Sequence, residues 1–316
     1  MIALTKLGQL GRLGNQLFQY AFLRTQAERL GVRFYCPKWI GDEIFELNDA
    51  GVKEETLGKI SHTYLETFGK KYDREYIRLA DETDIIGQFE SEKDFDPEVA
   101  KKCFVFREDK VSRVKEKYKD IDFSKCVGIH LRLGDKLKER ETRMTYFVPN
   151  LFYYLEAIKQ AGPCDKVVIF SDDEVHVRQF FAGQDLPLYF VAGNADWEDL
   201  YLMTLCRDVV CGASTFSWWG GWLNKNPNKK VFFPKEGTFR PWGLYRNPDL
   251  IPDSWIKLRS LNLLTENYLV VTAPHWWRYT LIIYGRFLGK YGKKLKSSHP
   301  KIYFRLKKYF PDIKTK

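Results

Sequence analysis

The sequence predicts an α/β fold with two parallel-sheet units, and three observations carry that expectation. Short apolar runs alternate with helical patterns from residue 126 onward, the signature of a doubly wound parallel sheet. A separate apolar run, glycine-rich turn and helical pattern opens the chain. At 316 residues, 44% of them apolar, the chain can bury more than one small core, so two domains are expected.

Taken in order, residues 2–7 form an apolar run that enters a turn carrying Gly8, Gly11 and Gly14. A helical pattern follows through Leu17, Ala21, Ala27 and Leu30, and stops at Gly31. Residues 32–36 form a second run. The spacing is that of a β-loop-α-β unit whose loop sits at a strand's carboxyl end, where open α/β sheets bind ligands. Residues 41–124 mix charged and aromatic residues without sustained periodicity, and predict only mixed helices and short strands. Strands are expected at 126–131, 167–170, 188–191, 209–211 and 230–233, with helices near 150–161, 173–181, 196–206 and 217–223. The expected boundaries are an N-terminal unit over 1–124, a second unit over 125–265, and a distinct tail over 266–316.

Composition removes several function classes. No apolar run approaches the roughly 18 residues of a spanning helix, and the N-terminus lacks the pattern of an export signal, so a cytoplasmic protein is expected. The six cysteines give no C-x-x-C pair and predict neither a disulfide framework nor structural zinc. The net charge of +10 is a property of the tail: residues 275–316 hold 12 Lys and Arg against one acid, Asp312, leaving 39 basic and 40 acidic residues before them. A near-neutral body argues against nucleic acid as its partner.

Three polar clusters fall at expected strand ends. In the first, His130 and Arg132 point to one side under the two-residue strand period. There an arginine can pair with a diphosphate and a histidine with a ribose or base; a loop-closing pair of Asp135 with either accounts equally for the string. In the second, Asp173 suits a helix cap, and Asp172 suits holding an arginine such as Arg132. The third runs from Gly212 to Trp222 and offers hydroxyls and backbone N–H groups at a helix start, which suits a phosphate. Capping by Ser214 or Ser217, with the tryptophans in the core, fits the same residues. The D-x-D patterns at Asp94/Asp96 and Asp120/Asp122 fall outside strand ends and read as solvated turns. Charge on a diphosphate would then be met by arginine and helix dipoles.

The segment Gly11-Arg12-Leu13-Gly14-Asn15-Gln16-Leu17-Phe18-Gln19-Tyr20-Ala21, the H-x-R-x-G-D string at 130–135, Phe170-Ser171-Asp172-Asp173 and residues 214–223 stand in one order and spacing. In this they resemble bacterial α-1,2-fucosyltransferases, glycosyltransferase family 11. The segment from Phe233-Pro234 to Trp255 is similar to that family's closing segment, and the resemblance covers about residues 1–258. It implies a GT-B-like fold, two Rossmann-like domains facing a cleft, followed here by the basic C-terminal segment. The implied reaction is inverting, metal-independent transfer of L-fucose from GDP-β-L-fucose to a galactose 2-hydroxyl, with no cofactor. By motif position Arg132 would neutralise the β-phosphate and His130 would contact the nucleoside. Asp172 belongs to the same donor site, and Asp199 would assist with guanine. Ser214, Thr215, Phe216 and Ser217 would surround the phosphates, and Gly14, Asn15 and Gln16 would face the cleft. Many relatives carry a second arginine where this chain has Leu133, so Arg132 acts alone. A fucosyltransferase of another linkage or donor, or a non-catalytic nucleotide-sugar or glycan-binding protein on this scaffold, fits the same motifs.

Inversion also needs a group to take the acceptor proton. Asp135 is the first candidate, with Glu139 and Glu141 in the next loop, where a solvated charged face is the plainer reading. In the tail, apolar residues recur at 276, 279, 283, 287 and 291, and again at 302, 306, 309 and 313, beside basic residues. Two basic amphipathic helices on an anionic membrane surface fit this pattern, as does a core-packed helix with a solvated end; RNA binding fits less well. The expected partners are GDP-fucose, a galactose-terminated or lipid-linked glycan of surface-glycan assembly, and the inner face of the cytoplasmic membrane.

Overall fold

A computed structural model describes residues 1–66, 79–138, 145–238 and 247–260. Glu139, Glu141 and the whole expected tail, 266–316, lie outside the described residues.

The first unit starts with β1 (Ile2–Ala3), which is followed through the glycine loop by α1 (Leu13–Leu30). Gly31 ends α1 at φ +64°, its N–H reaching the carbonyls of Ala27 and Glu28, a left-handed cap that glycine adopts without strain. Then come β2 (Phe34–Tyr35), α2 (Gly41–Ile44), β3 (His62–Leu65), β4 (Thr83–Ile86), α3 (Pro97–Cys103) and α4 (Glu108–Lys117). The four strands form one sheet in the order β2-β1-β4-β3, every pair parallel. Within the stretch that carried no periodicity, β3 is an exposed edge strand, so no apolar alternation marks it.

A 3₁₀ turn at Phe123–Lys125 leads into the second unit. Its elements are β5 (Val127–His130), α5 (Gly134–Lys138), α6 (Leu151–Ala161), β6 (Val167–Phe170), α7 (Glu174–Phe180), β7 (Leu188–Phe190), α8 (Asp196–Leu205), β8 (Asp208–Val210), α9 (Thr215–Trp222), β9 (Val231–Pro234) and β10 (Ile256–Leu258). Six parallel strands in the order β10-β9-β8-β5-β6-β7 replace the five expected. The extra one, β10, is a short half-exposed edge strand. The four central strands are buried at every position, as a sheet covered on both faces requires.

Alternation along β6 divides the core. Val167 and Ile169 face an apolar layer with β5 and α6, while Val168 and Phe170 face a second cluster that runs continuously into the first unit. Trp218 and Trp219 of α9 form the join, their rings 4.5 and 4.9 Å from Phe18 of α1, with Phe95 stacked on Trp219 at 5.4 Å. The two sheets are therefore held by one aromatic core, which fixes the start of α1 against the start of α9. The closing segment contributes Trp255, whose ring lies 5.3 Å from Trp218.

Of the two D-x-D patterns, Asp96 caps α3 by accepting from the Glu98 N–H, and Asp122 accepts from the Ser124 N–H. Asp94 corrects the expectation of solvated turns: it is 8% exposed. All six cysteines are free and five are buried. Among the described residues no helix is long and apolar enough to cross a membrane.

Candidate active site

From β5 the chain moves to β6 and β7 on one side, then returns to lay β8 on the other side. The reversal opens a crevice beyond the carboxyl ends of β5 and β8, the switch point at which parallel α/β sheets bind ligands. A cleft of about 130 Å³ lies there, lined by Arg12, Gly14 and Asn15 of the glycine loop and α1, by His130 and Arg132 after β5, and by Asp172, Asp199, Ser214, Thr215 and Phe216. Both units thus contribute walls.

Arg132 is held by Asp135, whose two oxygens accept from Nε, at 3.0 Å, and from Nη2. The same carboxylate accepts from Arg12 across the cleft at 3.3 Å. Burial pushes the Asp135 carboxyl up, but the Arg132 hydrogen bond and the two guanidinium charges outweigh it and hold the group below the ordinary carboxylate range. Asp135 is thus the ion-pair partner of both arginines.

His130 is buried, with its ring 5.2 Å from that of Phe216. Burial, reinforced by Arg132 and Lys136, pushes its pKa down to about 3, so the imidazole is neutral. Its Nδ1 is buried without a partner among the described groups, while the residue as a whole lines the cleft. Lys136 was not singled out by the sequence. Its fully buried ammonium donates to the carbonyls of Phe147 and Ala213, at 3.2 and 2.9 Å, tying the arginine loop to the hydroxyl loop. Burial, with Arg132 nearby, brings its pKa down to about 7.

Asp172 supports the same loop through the backbone. One oxygen accepts from the N–H groups of Leu133 and Gly134 at 2.8 and 3.1 Å. Asp173 is the cap of α7, accepting from the His176 N–H and contacting His176 Nδ1 at 2.8 Å. Asp199 accepts from Asn194 at 2.7 Å, and burial raises its carboxyl to about 6. Asn194 and Asp196 also line the cleft. They follow β7, so the rule that selected the other strand ends extends to them.

In the hydroxyl loop, Ser214 both lines the cleft and caps α9, accepting from the Phe216 N–H at 3.2 Å. The two readings of this residue are compatible. Ser217 is fully buried and donates to the carbonyls of Gly212 and Ser214, so it braces the loop from behind instead of lining the cleft. Gln16 likewise turns back on Gly11.

Asn15 joins the units. Its amide donates to Gln88 and Glu90 at 3.1 and 2.7 Å, and its oxygen accepts from the Thr215 hydroxyl at 3.2 Å. Glu90 had no sequence signal, because it sits in a charged run that reads as solvated surface. Burial, aided by the charge of Glu66, raises its carboxyl to about 7. Between the unfolded value near 4.3 and 7 the native protein keeps a proton that the unfolded chain has lost. Stability from this group is therefore complete below that interval and is lost as pH rises through 7. The melting temperature is expected to fall between pH 5 and 7.5 more steeply in the wild type than in Glu90→Gln, and parallel profiles would count against this assignment.

The sequence profile of glycosyl transferase family 11 matches residues 5–236, a span that includes every cleft-lining residue named above. The chain belongs to that family. Over 139 residues it is 33% identical to the O-antigen biosynthesis glycosyltransferase WbnK of Escherichia coli, covering 42% of this chain and 44% of that one. Over 141 residues it is 26% identical to an alpha-1,2-colitosyltransferase of E. coli, covering 42% and 48%. The matched stretch therefore spans about half the length of these relatives. Among solved structures, POFUT1 in complex with GDP-fucose aligns at a TM-score of 0.48 and 12% identity over 73% of this chain and 97% of that one. Fucosyltransferase NodZ from Bradyrhizobium aligns at 0.46 and 16%, over 69% and 91%. In this family 11 chain no cluster of three or more potential metal-ligating side chains occurs among the described residues. Among the described residues the ionisable side chains lining the cleft include Arg12, Arg132, Asp172, Asp196 and Asp199, with Asp135 bonded to both arginines.

Proposed function

We propose that the protein is an inverting galactoside α-1,2-fucosyltransferase that moves L-fucose from GDP-β-L-fucose to a galactose 2-hydroxyl of a glycan. The observation that carries this reading is the convergence of Arg132, the uncharged His130, Asp199 and the start of α9 on one switch-point cleft closed by the glycine loop of the other unit. The acceptor oxygen attacks the anomeric carbon as the bond to the β-phosphate oxygen breaks, so negative charge grows on GDP. Arg132, its fork oriented by Asp135, donates to that phosphate. Asp199 is suited to accept from guanine N–H groups, and His130 takes the nucleoside side of the cleft. Thr215 and Ser214 take the phosphate side, and Asn15 carries the first unit onto them. Asp135 serves as positioning partner of Arg132, leaving the acceptor proton to another group. Charge on the diphosphate is met by side chains and the helix start, with neither metal nor cofactor. Incubation of purified protein with GDP-fucose and several β-galactosides in EDTA tests this directly. Fucosylated product is expected; UDP-sugar consumption would refute the donor, and absence of product with any acceptor would favour a binding protein on this scaffold.

The basic segment at 275–316 supports a place of work at the inner face of the cytoplasmic membrane, on lipid-linked acceptors. A charge of +11 with ten aromatic residues suits an anionic surface, each basic residue there adding about 1 kcal/mol before screening. Full-length protein is expected to sediment with anionic but not neutral vesicles, with salt releasing it in part. A chain ending at Thr272 is expected to stay in the supernatant. Equal behaviour of the two proteins would remove the membrane role.

A further inference from the structure

A second cavity, of about 450 Å³, opens beside the carboxyl-terminal half of α1, where Thr25, Gln26 and Arg29 face the loop and helix start carrying Asp94 and Pro97. Two of its polar side chains are more than nine-tenths buried, Asp94 at 8% and Gln26 at 4% exposure. The Asp94 carboxyl accepts no hydrogen bond among the described residues, and only its backbone N–H is engaged, to Ser91 O. Gln26 accepts from Arg29 Nε at 2.8 Å, while its amide N–H groups donate to no described group. Thr25 Oγ1 accepts from the Asp96 N–H and keeps its own proton to give. None of these atoms is sealed from solvent without a partner, so they present free hydrogen-bonding positions to one cavity wall, where ligand hydroxyls can replace water.

We propose that this cavity is a second saccharide subsite, taking a neutral, hydroxyl-rich part of the glycan away from the sugar that reacts. The charges around it favour neither a cation nor an anion. Lys93 is tied to Asp249 at 2.5 Å, Asp96 is spent on capping α3, Glu28 pairs with Arg24 at 3.6 Å, and the Arg29 Nε donates to Gln26. Burial, with the charges of Glu66, Asp249 and Glu90 nearby, raises the Asp94 carboxyl to about 8, so at neutral pH it can donate as well as accept. A carboxyl, a carboxamide, a hydroxyl and a guanidinium around an exposed proline ring match the hydroxyls and C–H face of a pyranose. Asn15 at the first cleft and Gln26 at this cavity lie on one face of α1, about three turns apart. The rise from Gly14 to Thr25 is about 16 Å, which separates the two sites by several sugars of an extended chain. The identity of the glycan rests on the glycosyltransferase reading; the existence of the site does not.

Saturation-transfer NMR on the full chain with GDP and a β-galactose-terminated tetrasaccharide tests the subsite. In the wild type, saturation is expected on the terminal galactose and on rings remote from it. Thr25→Trp, which fills the cavity, and Asp94→Leu, which removes its carboxyl, are expected to reduce the remote-ring signal at least fivefold and leave the galactose signal and GDP affinity within twofold. Asp94→Leu should also keep or raise the melting temperature, because it deletes an unpaired buried acid; a structural role would lower it. Remote-ring signals that are absent in the wild type, or unchanged in both variants, overturn the proposal. Failure of GDP to bind would instead strike the donor assignment while leaving the remote-ring result readable.

Discussion

Arg132→Ala is expected to lower kcat/KM by about two orders of magnitude or more, the largest single effect among cleft substitutions. An interaction with charge that grows on the leaving diphosphate is stronger in the transition state than in the ground state, so its loss falls mainly on kcat. Arg132→Lys should rescue poorly, because an ammonium is a point charge and cannot reproduce a planar fork. Here the fork is already set by Asp135, which accepts from both Nε and Nη2, and a lysine would leave one of those acceptor positions empty. Asp135→Asn separates the roles of that acid. As an orienting partner its replacement is expected to cost about tenfold with an unchanged pH profile, whereas loss of a general base would abolish turnover and remove the acidic limb. A lysine variant that keeps most activity would show that fork geometry is unimportant.

The part of this site carried by the second unit was legible because central parallel strands are buried on both faces and read as short continuous apolar runs. Each run then points to the polar residues that follow it, and His130, Arg132, Asp172, Ser214, Thr215 and Phe216 do line one cleft. Register within a loop was less legible. Ser217 looked equivalent to Ser214, yet α9 begins at Thr215, which turns Ser217 inward while Ser214 stays at the cap. The first unit resisted reading because its edge strand β3 is exposed and its buried charges imitate a surface. Glu90 and Asp94 stand among Ser91, Glu92 and Lys93, and only the fold shows that Glu90 meets Asn15 while Asp94 meets a cavity. Lys136 is the same case, since its Asp-Lys-Leu-Lys-Glu context gives no hint that two backbone carbonyls receive its ammonium.

Gly14→Ala is the second large effect expected, and it tests whether the two units must touch for the cleft to work. A Cβ on Gly14 would stand 2.5 Å from the Phe216 nitrogen, 2.7 Å from the Thr215 carbonyl carbon and 2.8 Å from the Phe216 Cα. All three are backbone atoms, so no side-chain rotation relieves the contact. The start of α1 must move away from the start of α9, against the packing of Phe18 on Trp218 and Trp219 that holds them together. Overpacking of this kind costs about 1–3 kcal/mol, and a displacement near 1 Å at a reacting centre costs about two orders of magnitude in rate. The Asn15 to Thr215 hydrogen bond, already 3.2 Å, would be the first to open. Gly31→Ala supplies the control: its φ of +64° makes alanine strained, but its Cβ would meet nothing within 4 Å, at the far end of α1 from the cleft. Both variants are expected to lower the melting temperature, and only Gly14→Ala to lower kcat/KM about 100-fold with weakened GDP binding. Equal activity in the two would mean that the contact of α1 with α9 is structural alone.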